Sequence, residues 1–103
     1  MINGVNSREM ILEILLEIEE GEHSHVAIRN ALSKYQFLPK QDRAFITRVC
    51  EGTLEYRIQI DYIINSFSKV TVDKMKPAIR EILRSAVYQL KYMDSVPDSA
   101  VCN

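Results

Sequence analysis

The sequence predicts an all-α protein, a bundle of five helices followed by the start of a sixth. Three observations carry that expectation. Apolar residues recur at spacings of three and four in every long segment. Asn, Ser and Pro stand where helices should begin, and Gly21 where one should end. The one β-branched cluster, Val70-Thr71-Val72, is a lone short stretch with no second strand to pair with.

The elements follow in order. Asn6 or Ser7 caps the first helix, with Glu9 in its first turn. Met10, Ile11, Ile14, Leu15 and Ile18 form its apolar face, and Glu9, Glu13, Glu17 and Glu20 fall opposite. Gly21 stops it. Ser24 is placed to cap a second helix carrying Val26, Ala27, Ile28, Ala31 and Leu32, which ends before Leu38-Pro39. Pro39 suits the first turn of a third helix. That helix has Phe45, Ile46, Val49, Gly52, Thr53 and Tyr56 on one side and Cys50 and Leu54 on the other, the mark of a central helix with several neighbours. Gly52 offers a second helix a close approach. Ile60, Ile63, Ile64 and Phe67 mark a fourth helix, either separate from the third or continuous with it. Residues 68–73 read as a connector. Pro77 opens a fifth helix whose Ile79, Ile82, Leu83, Ala86, Val87, Leu90 and Met93 cover an arc of roughly 140° expected to face the core. Ser95 and Pro97 suit the start of a sixth, with Asn103 barely two turns in.

At 103 residues the chain makes one domain, with 47% apolar and 26% charged residues. It has no room for a dinucleotide-binding domain beside a substrate domain, and no apolar run reaches the ~18 residues of a membrane span. Cys50 and Cys102 lie far apart without CxxC spacing, which argues against a zinc site or a disulfide scaffold and fits a reducing cytoplasm. The net charge of −1 hides an asymmetry. Residues 1–30 carry Arg8 and Arg29 against six Glu, whereas residues 31–103 carry eleven basic and eight acidic side chains. Opposite fields at two ends orient a polyanion even when the total is near zero.

Few constellations suggest chemistry. His23 and His25 lack third and fourth ligands nearby and read as a polar loop. Cys50 has no partner acid or base placed by spacing and reads as a small buried residue. Asp42-Arg43 at a helix start reads as a structural clamp between helices. Paired catalytic carboxylates and a Gly-rich phosphate loop are both missing from the sequence. The pattern that points to binding is the stripe Arg80, Arg84 and Lys91 with Tyr88 beside it: cations neutralise phosphates and a Tyr ring stacks on an unpaired base.

Three stretches then act together: Asn6-Ser7-Arg8 leading to Leu16 and Gly21; Gln41-Asp42-Arg43-Ala44-Phe45 with Gly52-Thr53-Leu54-Glu55-Tyr56-Arg57; and Ile79-Arg80-Glu81-Ile82-Leu83-Arg84, Tyr88-Gln89-Leu90, Val96-Pro97, Ala100-Val101-Cys102-Asn103. In this order and spacing they resemble the NusB-like N-terminal domain of ribosomal RNA small subunit methyltransferase B, the Sun/Fmu type. The antitermination factor NusB shares the fold, but the GTLEYR stretch and the VP-x-x-AV-x-N end look more like the methyltransferase. The resemblance implies an RNA-binding domain that places ribosomal RNA for a C-terminal catalytic domain. That domain, absent here, would use S-adenosylmethionine and cysteine nucleophiles to make 5-methylcytosine. It implies that residues 1–103 are a single domain cut before that catalytic part, with no catalytic residue, cofactor or metal of its own. One departure matters. NusB proper concentrates basic residues on its first helix, where this chain has the Glu stripe. The expected RNA contacts are therefore Arg8, Arg80, Arg84, Tyr88 and Lys91. Two other functions fit the same residues: a protein-interaction module that docks the catalytic domain or a ribosomal protein, and a free-standing antitermination factor.

Overall fold

The computed structural model describes residues 6–93. It contains α1 (Ser7–Glu19), α2 (Ser24–Lys34), α3 (Lys40–Glu55), α4 (Arg57–Phe67), a single 3-10 turn (Val72–Lys74) and α5 (Pro77–Tyr92), with no strand among the described residues. The sixth helix expected from Ser95 lies outside them.

Local chemistry sets the boundaries. Asn6 is extended, and its Oδ1 accepts the Glu9 amide at 2.9 Å, satisfying a donor that the first turn leaves open. At the other end Gly21 takes φ +113°, a left-handed conformation, and the Glu22 amide closes back on the Glu17 carbonyl at 3.0 Å. Ser24, expected to cap α2, is instead its first residue; the cap position is His23, with no side-chain bond to the turn. Pro39 is the residue before α3 rather than inside it. Pro77 occupies the first turn of α5, where its missing N–H costs nothing.

The third and fourth helices are not continuous. Tyr56 (φ −102°, ψ 20°) breaks the run, although its amide still donates to the Gly52 carbonyl at 3.0 Å. The break turns α4 so that Ile60 and Ile64 enter the core fully buried. The following connector folds back through Val72, which is buried and donates its amide to Asn65 Oδ1 at 2.9 Å.

The core lies where α1, α3 and α5 meet, with α2 against α1 and α3, and α4 against α5. Met10, Ile11, Ile14 and Leu15 of α1 face Ile46, Val49 and Cys50 of α3, and Ala27 and Ile28 close the α2 side. The central place expected for α3 is therefore found. Arg43 is the helix clamp expected of it: Nη1 donates to the carbonyls of Leu32 at 3.0 Å and Tyr35 at 3.3 Å, satisfying the open C-terminal end of α2.

The orientation of α5 corrects the sequence expectation. Of the expected core arc, Leu83, Val87 and Met93 do pack partly buried against the core. The buried residues, however, are Glu81, Arg84 and Tyr88, whereas Ile79, Ile82 and Leu90 are exposed, Leu90 to 72%. At 100° per residue the two sets lie on nearly opposite sides of the helix. Steric fit is one reason. The Tyr88 ring sits over Gly52 of α3 so closely that a Cβ there would overlap Cζ, Cε1 and the hydroxyl. Behind it Tyr88, Tyr92 and Tyr56 stack with near-parallel rings, the Tyr56–Tyr92 centroids 4.4 Å apart and those of Tyr88–Tyr92 5.6 Å apart.

Replacing Gly by Ala inside a helix ordinarily stabilises by about 1 kcal/mol. Here Gly52→Ala is expected to destabilise by about 2 kcal/mol through overpacking, read as a lower urea midpoint. Adding Tyr88→Leu should return part of the loss, whereas a strictly additive double variant would show that the ring is not the obstacle.

Candidate nucleic-acid interface

Of the five residues expected to contact RNA, the structure leaves two at the surface. Arg8, in the first turn of α1, is exposed and lines a shallow groove with Leu12, Ile82 and Leu90. Lys91 is exposed near the end of α5. Arg84 and Tyr88 are buried, and Arg80 is partly covered with its guanidinium fully paired.

Arg84 is 8% exposed and meets carboxylates from three helices. Its Nε and Nη2 donate to Asp61 Oδ1 and Oδ2 of α4, each at 2.8 Å, in the two-point geometry that suits a guanidinium. Its Nη1 donates to Glu81 Oε2 at 2.7 Å and lies 3.8 Å from Glu19 Oε2, the last residue of α1. Arg80 takes both oxygens of Glu19 at 2.8 Å and gives Nη1 to the carbonyls of Val72 and Met75, each at 2.9 Å. Tyr88 is 6% exposed beneath the aromatic stack. The open stripe expected of Arg80, Arg84 and Tyr88 is thus corrected. The cations are neutralised within the fold, and the ring presents no free face for a base.

This cluster perturbs its own acids. Burial, together with a hydrogen bond to Glu19, raises the Glu81 carboxyl to about 7. The Arg80 guanidinium lowers Glu19 to about 2. The carboxylates raise both guanidiniums above the usual arginine value, in Arg84 against the opposing effect of burial and in Arg80 chiefly through its hydrogen bonds to Glu19. Elsewhere, burial pushes the Cys50 thiol up to about 12, so it is no nucleophile at neutral pH. No three His, Cys, Asp or Glu among the described residues are grouped to hold a metal ion, and no described helix is long and apolar enough to cross a membrane.

Lys40 and Arg48 are surface cations that sequence reasoning passed over. With the clamp Arg43 they line an open depression of about 690 Å³ where α2 and α3 meet the later part of α5, and Glu51 and Glu55 line it too. Lys34 closes the exposed C-terminal turn of α2, a helix that carries no acidic residue. The signal was present in the sequence: Lys40, Ala44, Thr47, Arg48, Glu51 and Glu55 repeat at helical spacing as a non-apolar face of α3. Glu9, Glu13, Glu17 and Glu20 of α1 are exposed, as expected, and repel phosphates.

Two consequences can be measured. Arg84→Ala leaves Asp61 and Glu81 without their cation and should cost about 3 kcal/mol in urea unfolding, whereas Lys91→Ala should stay within about 0.5 kcal/mol. The pH dependence has a definite sign. Glu81 is raised, so its contribution is complete below its ordinary value of 4.5 and is lost as pH rises through about 7. Glu19 is lowered, so its contribution is complete above 4.5 and is lost as pH falls toward about 2. The melting temperature should therefore decline between pH 5 and 8, and Glu81→Gln should flatten that decline.

Comparison with known proteins bears on the whole chain. The family model described as "NusB family" matches residues 5–103. The probable ribosomal RNA small subunit methyltransferase B of Bacillus subtilis is 30% identical over 93 residues, covering 90% of this chain and 21% of that protein. Its counterpart in Synechocystis is 32% identical over 100 residues, covering 96% and 22%. The transcription antitermination protein NusB of Desulforamulus reducens is 29% identical over 99 residues, covering 94% and 68%. The chain thus spans about a fifth of the methyltransferase relatives' length and about two thirds of the antitermination protein's. No solved structure matches it. A family match across nearly every residue, on an all-helical bundle of this order, means that the chain belongs to the NusB family.

Proposed function

We propose that this chain is the RNA-binding front domain of a ribosomal RNA cytosine-C5 methyltransferase, placing small-subunit ribosomal RNA for a C-terminal catalytic domain that uses S-adenosylmethionine. The observation that carries the reading is the likeness to two methyltransferase relatives over 90% and 96% of this chain, at 30% and 32% identity. The motif set from Arg43 through Gly52-Thr53-Leu54 to Ile82-Leu83-Arg84 supports it, and in the structure those residues build the clamp, the close contact and the buried ion cluster.

RNA contact in this proposal is electrostatic and shape-based. Lys34, Lys40 and Arg48 present positive charge around the α2–α3 depression, Arg8 and Lys91 add two further phosphate contacts, and the glutamate face of α1 turns the strand away. The domain itself contributes positioning and no bond-making group. Each phosphate released from its counterions adds to the salt dependence, so a surface of three to five cations binds weakly and steeply with salt.

A second reading, a free-standing antitermination factor, draws on one observation: the chain spans 68% of the Desulforamulus antitermination protein against 21% of the Bacillus methyltransferase. A methyltransferase domain in the same reading frame beyond Asn103 decides for the first reading, and its absence for the second.

The RNA surface is tested by titrating a small-subunit ribosomal RNA fragment at two salt concentrations. The wild-type affinity should fall steeply with salt, and Lys34→Ala/Lys40→Ala/Arg48→Ala should weaken binding at least tenfold with a shallower slope. Arg8→Ala/Lys91→Ala should have a smaller effect of the same kind. Salt-independent binding, or a triple variant equal to wild type, would overturn the assignment of this face.

A further inference from the structure

Beneath the ion cluster, where α1, α3 and α5 converge beside the start of α4, lies a cavity of about 30 Å³. Its polar lining is Glu19, Thr53, Arg57, Glu81 and Arg84. Thr53 is 1% exposed, and its Oγ1 has no hydrogen-bond partner among the described residues. That is unusual for a helical threonine, whose hydroxyl commonly donates to the carbonyl four residues back. The same helix shows the ordinary behaviour at Thr47, whose Oγ1 donates to the Arg43 carbonyl at 3.0 Å. A buried hydroxyl without a partner keeps its full desolvation cost, so native proteins supply one, from protein or from water.

The surroundings can supply the rest of a water's bonds. A void admits a water once it offers about 10–15 Å³ of room for one, and that water needs two to four polar partners. The Arg84 guanidinium takes one oxygen of Glu81, leaving the other carboxyl oxygen for a further donor.

We propose that this cavity is a binding site for one internal water molecule, which joins the Thr53 hydroxyl of α3 to the Glu19–Glu81 carboxyl pair of α1 and α5. The water accepts from or donates to Thr53 Oγ1 and donates to a carboxyl oxygen. It thereby ties the central helix into an ion cluster that α3 does not otherwise reach.

The sign of one substitution separates a wet site from a dry one. Thr53→Val keeps the shape and removes the hydroxyl. Around a bound water it takes away a partner, and the melting temperature should fall by about 5 °C, while Thr53→Ser should retain most of it. In a dry cavity the same change removes an orphaned polar group, and the melting temperature would stay level or rise, which would overturn the proposal. An independent measurement on the wild-type protein avoids any folding defect. Water-selective NMR should give a cross-peak from a long-lived water to the Thr53 γ-methyl at 25 °C, and its absence would also overturn the site.

Discussion

A guanidinium cannot be buried alone. Arg84 is shut inside this bundle, and the arrangement of three helices around it follows from that constraint. Asp61 must arrive from α4, Glu81 from the turn below on α5, and Glu19 from the last residue of α1. The ending of α1 at Glu19 and the break at Tyr56 both bring a carboxylate to the same point. Arg80 extends the arrangement outward, binding Glu19 with one side and the carbonyls around the 3-10 turn with the other. A buried ion cluster of this kind adds modest net stability compared with a well-packed apolar core, but it penalises every alternative packing that leaves a charge unpaired. It fixes which face of α5 turns inward.

That face is where sequence reasoning reached its limit. Helix number, order and most boundaries were legible because caps, prolines and apolar spacing act over a few residues, as at Asn6, Gly21 and Pro77. The tolerance of Gly52 for a close neighbour was legible too, though not that the neighbour is Tyr88. The rotation of α5 was not. Its apolar arc reads as a core face by any local measure, and the carboxylates that draw the opposite face inward include Asp61, 23 residues away, and a residue on the first helix. Charge spacing says that Arg80 and Arg84 share an edge; only the packing shows that the edge is already neutralised.

The same limit shaped the reading of the binding surface. A cation in a sequence is a candidate for phosphate contact until its partner is seen. The cluster buries Arg84 and pairs Arg80, and it leaves the depression bordered by Lys40 and Arg48, with Lys34 on the adjoining turn, as cationic ground apart from the glutamates of α1. The ordered motifs therefore mark the architecture of a NusB-family bundle more than its contact surface. Arg43 clamps, Gly52 admits a ring, and Arg84 gathers carboxylates.

Turning the charged edge of α5 inward leaves Ile79, Ile82 and Leu90 against water. Their hydration is unfavourable in the fully folded molecule, so it influences how the protein behaves at high concentration, apart from how firmly it folds. Excluded salts such as sulfate strengthen exactly that kind of contact between molecules. The helix rotation that goes with the ion cluster thus also sets how much apolar surface the folded chain offers to its neighbours.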